Sequence, residues 1–450
     1  MKKVYIYALA YALTAVSCQD NEWGADSATP QAPEIEIPMG AADGELLIKF
    51  VPEMSDILDQ TLTRVGGVAT RSGIPSTDEV LNILGAYHFE RVFPVDPKTE
   101  KRTREAGMHL WYIVRFDKDA DLKEAARQLR KLGEISKIQS NPTLQRAYDP
   151  KKKTLYLSAS DLQHVTRTSE GLTFNDPGLK HQWHYRNAGN YDFVKKDRAE
   201  AIAGADVNCG EAWELCKGDP SIIVAVLDEG VMWSHPDLIA NMWTNEAEEI
   251  GSTEDKDGNG YKGDRYGYNF VKNTGVISWT SADDTGHGTH VAGTIAAENG
   301  NSIGVSGIAG GDGNTGSGVK IMTCQLFDGQ YGATLAAEAK AIKYAADNGA
   351  VVLQCSWGYN SPDANEALGY VPGPKNEQDW ENQYPLEKEA LDYFIHNAGS
   401  PNGVIDGGLA IFASGNEYAP SSSFPAGYSK CISVSAIAAD YTPSSYTNYG

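Results

Sequence analysis

The sequence predicts a large α/β domain on a doubly wound parallel sheet, with a small α+β domain ahead of it. Three observations carry that expectation. Beyond residue 174, continuous apolar runs alternate with helical stretches, as buried parallel strands require. Between residues 45 and 149, shorter runs alternate apolar and polar residues around one amphipathic helix. A chain of 450 residues is also too long for one ordinary core, so two domains and a leader are expected.

In chain order, Met1-Lys2-Lys3 opens an apolar stretch, VYIYALAYALTAVS, that is too short to span a membrane. It stops at Ser17-Cys18, and polar QDNEWGADS follows at once. A small residue before Cys at a signal's end resembles a bacterial lipobox, in which the cysteine is diacylated and the leader removed. Ala15 departs from that pattern, since Leu is usual at the third position before the Cys. Residues 1–17 are therefore expected to be a lipoprotein signal peptide, with Cys18 the lipidation site. Residues 18–44 are small, polar and proline-bearing, a tether. The lipid makes the membrane a partner and places the protein in the cell envelope. Gln19 after the cysteine favours the outer membrane, and a chance cysteine would leave an ordinary secreted protein.

In the small domain, GELLIKFV, AYHFERVFPVD, MHLWYIVRFD and EISKIQSNPTLQRAYD read as strands. DADLKEAARQLRKLG reads as a helix with Leu122, Ala126, Leu129 and Leu132 on one face, ended by Gly133. Residues 150–173 are polar and basic, a protease-sensitive linker. Then come the buried strands IIVAVL, VKIMTCQL, VVLQCSW, LAIFA and CISVSAI, with helices THVAGTIAAE and LAAEAKAIKYAADNG between them. The polar stretch from Tyr359 to about Pro385 reads as a surface insertion.

Composition narrows the function. Sixty Asp and Glu against 38 Lys and Arg give a net charge of −22, which repels nucleic acid. Cys209, Cys216, Cys324, Cys355 and Cys431 are scattered without a CxxC pair, so no zinc site is expected and no disulfide pairing follows.

Asp228 stands at the carboxyl end of IIVAVL, where an acid leaving a buried strand needs a partner. His287 begins a helical stretch rich in Gly288, Ala292 and Gly293. Either residue alone would be read as structural. Together, VAVLDEGV, HGTHVAGT, SWG and ASGNE, in this order over residues 174–450, resemble the subtilisin-like serine peptidases (subtilases, peptidase family S8), of the thermitase and fervidolysin type. The resemblance implies that Asp228 orients the imidazole, that His287 is the general base, and that His290 is structural. The order Asp then His is the one in which the nucleophilic Ser comes last. A zinc reading of His287 and His290 fails, because the spacing and the missing Glu do not match HExxH.

The same resemblance casts Asn416 as the oxyanion donor, although an Asn after Gly is also a common turn. It makes Ser356, Trp357 and Gly358 the edge that pairs with substrate backbone, and Gly329, Gln330, Tyr331 and Gly332 the facing edge. Ala413, Ser414 and Gly415 become a wall of the specificity pocket. Residues 45–149 resemble, in pattern, the ferredoxin-like inhibitory propeptide of that family. Protein or peptide substrates and the chain's own propeptide are then the expected partners.

FNDPGL, HPDL and ENGNSIGV resemble three pieces of one calcium site, or are three ordinary turns. The likeness implies carboxylates from Asp176 and Asp237, the Asn301 amide, and carbonyls from Asn299, Ile303 and Val305. DKDGNGYKGD offers Asp255, Asp257, Asn259 and Asp264 in a Gly-rich loop. Tyr266 stands where an EF-hand needs a bidentate Glu, so the loop is a different Ca²⁺ site or a bare turn.

The serine motif of the family is not found in these residues; SSYTNYG resembles the segment before it, so the expectation is a chain that ends short of the nucleophile. The parent protein is then a lipid-anchored serine endopeptidase made as an autoinhibited precursor, and these 450 residues alone are inactive. The alternative is a non-catalytic binding protein on the same fold.

Overall fold

The computed structural model describes residues 41–65, 68–69, 71–146, 172–189, 201–399 and 405–450. The expected signal peptide, Cys18 and nearly all of the linker lie outside them.

Alternation organises the small domain. Strands β1 (Ala41–Phe50), β2 (Val68–Ala69), β3 (His88–Arg91), β4 (Trp111–Arg115) and β5 (Ile135–Pro142) form a five-stranded antiparallel sheet ordered β2-β3-β4-β1-β5. Helices α1 (Ser55–Val65), α2 (Pro75–Ile83), α3 (Glu100–Glu105) and α4 (Leu122–Leu129) join them. Successive strand side chains point to opposite faces. On one face Leu46, Ile48, Tyr112 and Val114 pack with Leu58 of α1, Leu81 of α2 and Leu129 of α4. On the other, Leu47, Trp111 and Ile113 belong to the core of the large domain. The small sheet thus has a core of its own and a second apolar face that needs a partner, each buried side chain being worth roughly 1.5–3 kcal/mol. All described residues fall in one compact unit.

After helix α5 (Cys209–Leu215), the large domain is a seven-stranded sheet. Its strands are β6 (Ile223–Glu229), β7 (Gly267–Asn269), β8 (Lys320–Asp328), β9 (Tyr331–Gly332), β10 (Val352–Cys355), β11 (Leu409–Ala413) and β12 (Ile432–Val434). They run β12-β11-β10-β6-β8-β7, all parallel, and β9 turns back antiparallel on β8. Helix α6 (His287–Ala296) covers one face through Ala292 and Ala296 against Val224, Val226 and Ile321. Helices α7 (Leu335–Asp347) and α9 (Pro385–Asn397) cover the other through Ala339, Ile342 and Leu391, with α8 (Glu377–Gln383) beside α9. Helices on both faces make the sheet doubly wound. Among the described residues no helix is long and apolar enough to cross a membrane.

Two expectations need correcting. CISVSAI is not a buried strand: on the edge strand β12, Ile432 and Val434 are 44% and 51% exposed, and neither joins an apolar cluster of the described residues. The stretch from Tyr359 to Pro385 is not wholly superficial either. Leu368 and Val371 are exposed, but Trp380 and Ser361 are fully buried, and Trp380 stacks on Phe424.

The small domain meets α7 and α9 end-on as well as face-on. A helix N-terminus leaves backbone N–H groups without intrahelical partners. Ala336 N of α7 donates to Asn141 Oδ1 at 2.9 Å, and Leu386 N of α9 to Gln139 Oε1 at 2.8 Å. Beyond β5 the chain stays extended. Thr143 bridges Thr334 antiparallel, and Leu144 N donates to Ala333 O at 2.8 Å.

Candidate active site

Parallel pairing sets the site. Register aligns Leu227, Cys355 and Phe412 across β6, β10 and β11. The next residues on each strand, Asp228, Ser356 and Ala413, therefore emerge together at the carboxyl edge, where open α/β sheets bind ligands.

Asp228 is 1% exposed, and both its oxygens lie against His287 Nδ1, at 2.8 and 2.9 Å. Its Oδ1 also accepts from Glu229 N at 2.6 Å. His287 is the first residue of α6, entered through Gly286 at φ +81°. The approach is close: a Cβ at Gly288 would lie 2.1 Å from Glu229 O, so only glycine lets the helix start against β6. Burial would depress the imidazole, but the hydrogen bond and charge of Asp228, with the charge of Glu229, outweigh it and raise the pKa of His287. His290 is pushed the other way, first by burial and then by the charge of His287.

Glu229 was not singled out from the sequence. Its carboxylate takes the backbone N–H groups of Thr285, Gly286 and His287, each at 3.0 Å, so an anion seats the N-terminus of α6. Two acids in succession at a buried strand end were the available signal.

Asn416 follows β11. With Ala413, Ser414, Gly415 and Gln354 it lines a 280 Å³ pocket at the carboxyl edge. Gly415 has φ +114°, and the loop is held by Asn448, whose Oδ1 accepts from Glu417 N and Ala419 N. Nothing in the sequence marked Asn448. On the expected substrate edge, Ser356 Oγ accepts from Gln354 Nε2 at 3.1 Å. The Trp357 side chain is a core anchor rather than a contact surface, 3% exposed and edge-on to Phe412. A Cβ at Gly358 would lie 2.8 Å from Phe424 O. On the facing edge Gly329 has φ +58°, Tyr331 is exposed, and a Cβ at Gly332 would lie 2.1 Å from Leu144 O.

The three segments FNDPGL, HPDL and ENGNSIGV converge. Asp176 accepts from Gly300 N, Ser302 N and Ser306 Oγ, and Asp237 accepts from Asn301 Nδ2 and Val305 N. A Cβ at Gly304 would lie 2.0 Å from Asp237 Oδ2, and Asn299 Oδ1 is buried without a hydrogen-bond partner. Two buried carboxylates meeting one turn, at a distance that admits no Cβ on Gly304, fit an oxygen cradle for a hard cation. In the second loop the expected set is rearranged. Asp255 turns inward on Gly258 N, Asn259 N and Gly260 N, while Asn259 donates to Asp264. The acids brought together are Glu248, Asp257 and Asp264, with oxygens within 4.8 Å of one another. Glu248 lies outside the loop 255–264, and only the fold brings it there.

Comparison with known proteins decides the family. The model of the Subtilase family, peptidase S8, matches residues 219–450, more than half of the chain. The chain belongs to the subtilase family. This subtilase is 32% identical over 248 residues to halolysin of Haloferax mediterranei, covering 55% of this chain and 37% of that protein. It is 28% identical over 244 residues to thermitase of Thermoactinomyces vulgaris, covering 54% and 64%. A solved serine protease of Aeromonas sobria, in complex with its chaperone, overlays with a TM-score of 0.42 at 23% identity, covering 62% of this chain and 42% of that one. The subtilase spans 36–44% of the length of its first three curated relatives.

Proposed function

We propose that this subtilase is the precursor of a serine endopeptidase in which Asp228 and His287 are the acid and base of an Asp-His-Ser triad. The observation that carries the reading is His287 Nδ1 held at 2.8 and 2.9 Å by a buried Asp228 carboxylate. Nδ1 carries the proton in that arrangement, so Nε2 is left to accept one from a serine hydroxyl. The raised pKa then favours holding it until the amine leaves. Asn416 is the oxyanion donor. Ser356–Gly358 and Gly329–Gly332 flank the extended substrate.

Residues 45–149 act as the inhibitory propeptide. Gly332 is the supporting detail, since it lets the Leu144 backbone lie where a substrate strand would be added. Calcium is structural: Asp176, Asp237, Asn299, Asn301, Ile303 and Val305 would hold one ion, and Glu248, Asp257 and Asp264 a second. A bound ion would neutralise carboxylates that otherwise repel one another. The N-terminus, outside the described residues, carries lipid on Cys18 and keeps the protein in the envelope.

A fluorophosphonate probe, which labels activated serines, tests the reading. The intact protein should be labelled and its His287→Ala variant should not. Equal labelling of both would sink the triad.

A further inference from the structure

We infer that Glu229 and Asp284 form an acidic pocket beside Asp228 and His287 that takes one basic side chain, arginine above lysine, just before the scissile bond. The inference rests on the peptidase and propeptide readings and names the substrate feature they leave open.

An occupant is already in place. Arg146 follows the segment that pairs with Ala333 and Thr334, and its side chain is 9% exposed. Its Nη1 lies 3.1 Å from Glu229 Oε1 and donates to Asp283 O at 2.9 Å. Its Nη2 lies 3.7 Å from Asp284 Oδ1 and donates to Gly329 O. The guanidinium carbon sits 5.7 Å from the centre of the Phe327 ring. Acceptors from the end of β6, the loop before α6 and the loop after β8 thus converge on one planar fork. A lysine has no such geometry.

The pocket is built rather than incidental. The Glu229 and Asp284 side chains are 1% and 2% exposed. Neither can swing away. Glu229 is fixed by the backbone at the start of α6, and Asp284 accepts from Gly329 N at 2.7 Å and Ser281 N at 2.8 Å. Two carboxylates held side by side repel one another without a cation, so departure of the Arg146 segment would leave a site that favours another basic side chain. The pocket also adjoins the reacting groups, since Glu229 directly follows Asp228 and accepts from His287 N at 3.0 Å. An extended peptide paired along the same edge as Leu144 would deliver its side chain there.

Two measurements test this. In the first, the intact protein is given peptides carrying arginine or citrulline, equal in shape but uncharged, at successive positions before the cleaved bond. At one position arginine should raise kcat/KM at least tenfold over citrulline, and Asp284→Asn should bring the two to near parity. Equal cleavage of both peptides overturns the pocket and leaves the peptidase reading intact. Cleavage of neither counts against the peptidase reading, and the pocket is then decided by the second measurement. There, hydrogen exchange is followed at the Leu144 amide in the 450-residue chain. Exchange should quicken at least tenfold in Arg146→Gln and in Asp284→Asn, and much less in Arg146→Lys. Unchanged exchange in the first two variants overturns the inference whatever the activity.

Discussion

Trp111 of β4 donates its indole N–H to Glu389 Oε2 of α9 at 2.7 Å, so one carboxylate of the large domain reads the face of the small sheet. Lys49 and Lys137 reach the same carboxylate at 2.7 and 3.0 Å. Glu389→Ala would leave an indole and two ammonium groups facing an empty place. Charge-assisted hydrogen bonds contribute about 1.5–3 kcal/mol each, and partial exposure discounts the sum to about 2–3 kcal/mol. Hydrogen exchange along β1 and β5 should quicken by more than tenfold, with the β6 and β8 amides unaffected. Unchanged protection in β1 and β5 would mean that apolar contact alone docks the domain.

The Asp228–His287 contact makes a prediction in two parts. Asp228→Asn should lower kcat of the intact protein by on the order of 10⁴-fold, because the imidazole loses its tautomer control. The acid limb of the pH–rate profile should also move. The base works when neutral, and its pKa is raised above 6.5 by Asp228 and Glu229, so the limb should lie above that value and shift down in the variant. A rate loss without a shift of the limb would show that Asp228 only supports the fold.

β6, β8 and β10 could be read because a strand covered on both faces must be apolar throughout, and IIVAVL and its companions are. Asp228 and His287 were legible through their surrounding motifs. Burial at the sheet edge was not. CISVSAI has the same composition as a central strand, and composition does not say whether anything covers Ile432 and Val434. Glu229, Glu248 and Asn448 were also missed, since each gains its meaning from partners far along the chain or from a loop it latches. The pairing of Arg146 with Glu229, 83 residues away, belongs to the same class of fact.

Calcium should stabilise the large domain. Asp176 and Asp237 are both buried, and the charge of Asp176 adds to burial in pushing the Asp237 carboxyl up. An ion at 100 times its Kd would stabilise by about 2.7 kcal/mol, or roughly 5–10 °C in Tm. Excess EDTA should lower the melting temperature by that amount, and Asp237→Asn should melt low with or without the chelator. Identical melting of the native protein in Ca²⁺ and in EDTA would remove the claim.

A second buried pair sets a pH dependence of its own. Glu338 of α7 and Glu387 of α9 are fully buried, and Glu387 accepts from Trp380 Nε1 at 2.7 Å and from the Tyr359 hydroxyl at 3.1 Å. Burial lifts the Glu387 carboxyl from 4.5 to about 7, and lifts Glu338, with the charge of Glu387, well above its ordinary value. A proton held between them satisfies oxygens that have no other donor. The sign follows from which state binds more protons. Between pH 4.5 and 7 the folded chain keeps a proton that the unfolded chain releases, so stability falls as pH rises through that window. Glu387→Gln, neutral at every pH, should therefore melt close to the native protein at pH 5 and several degrees above it at pH 8. His287, whose pKa is also raised, adds a fall of the same sign, but it is common to both proteins and cancels in their difference. A difference in Tm that stays constant from pH 5 to pH 8 would mean that Glu387 takes up no extra proton on folding in that window, and its raised carboxyl would have to be given up.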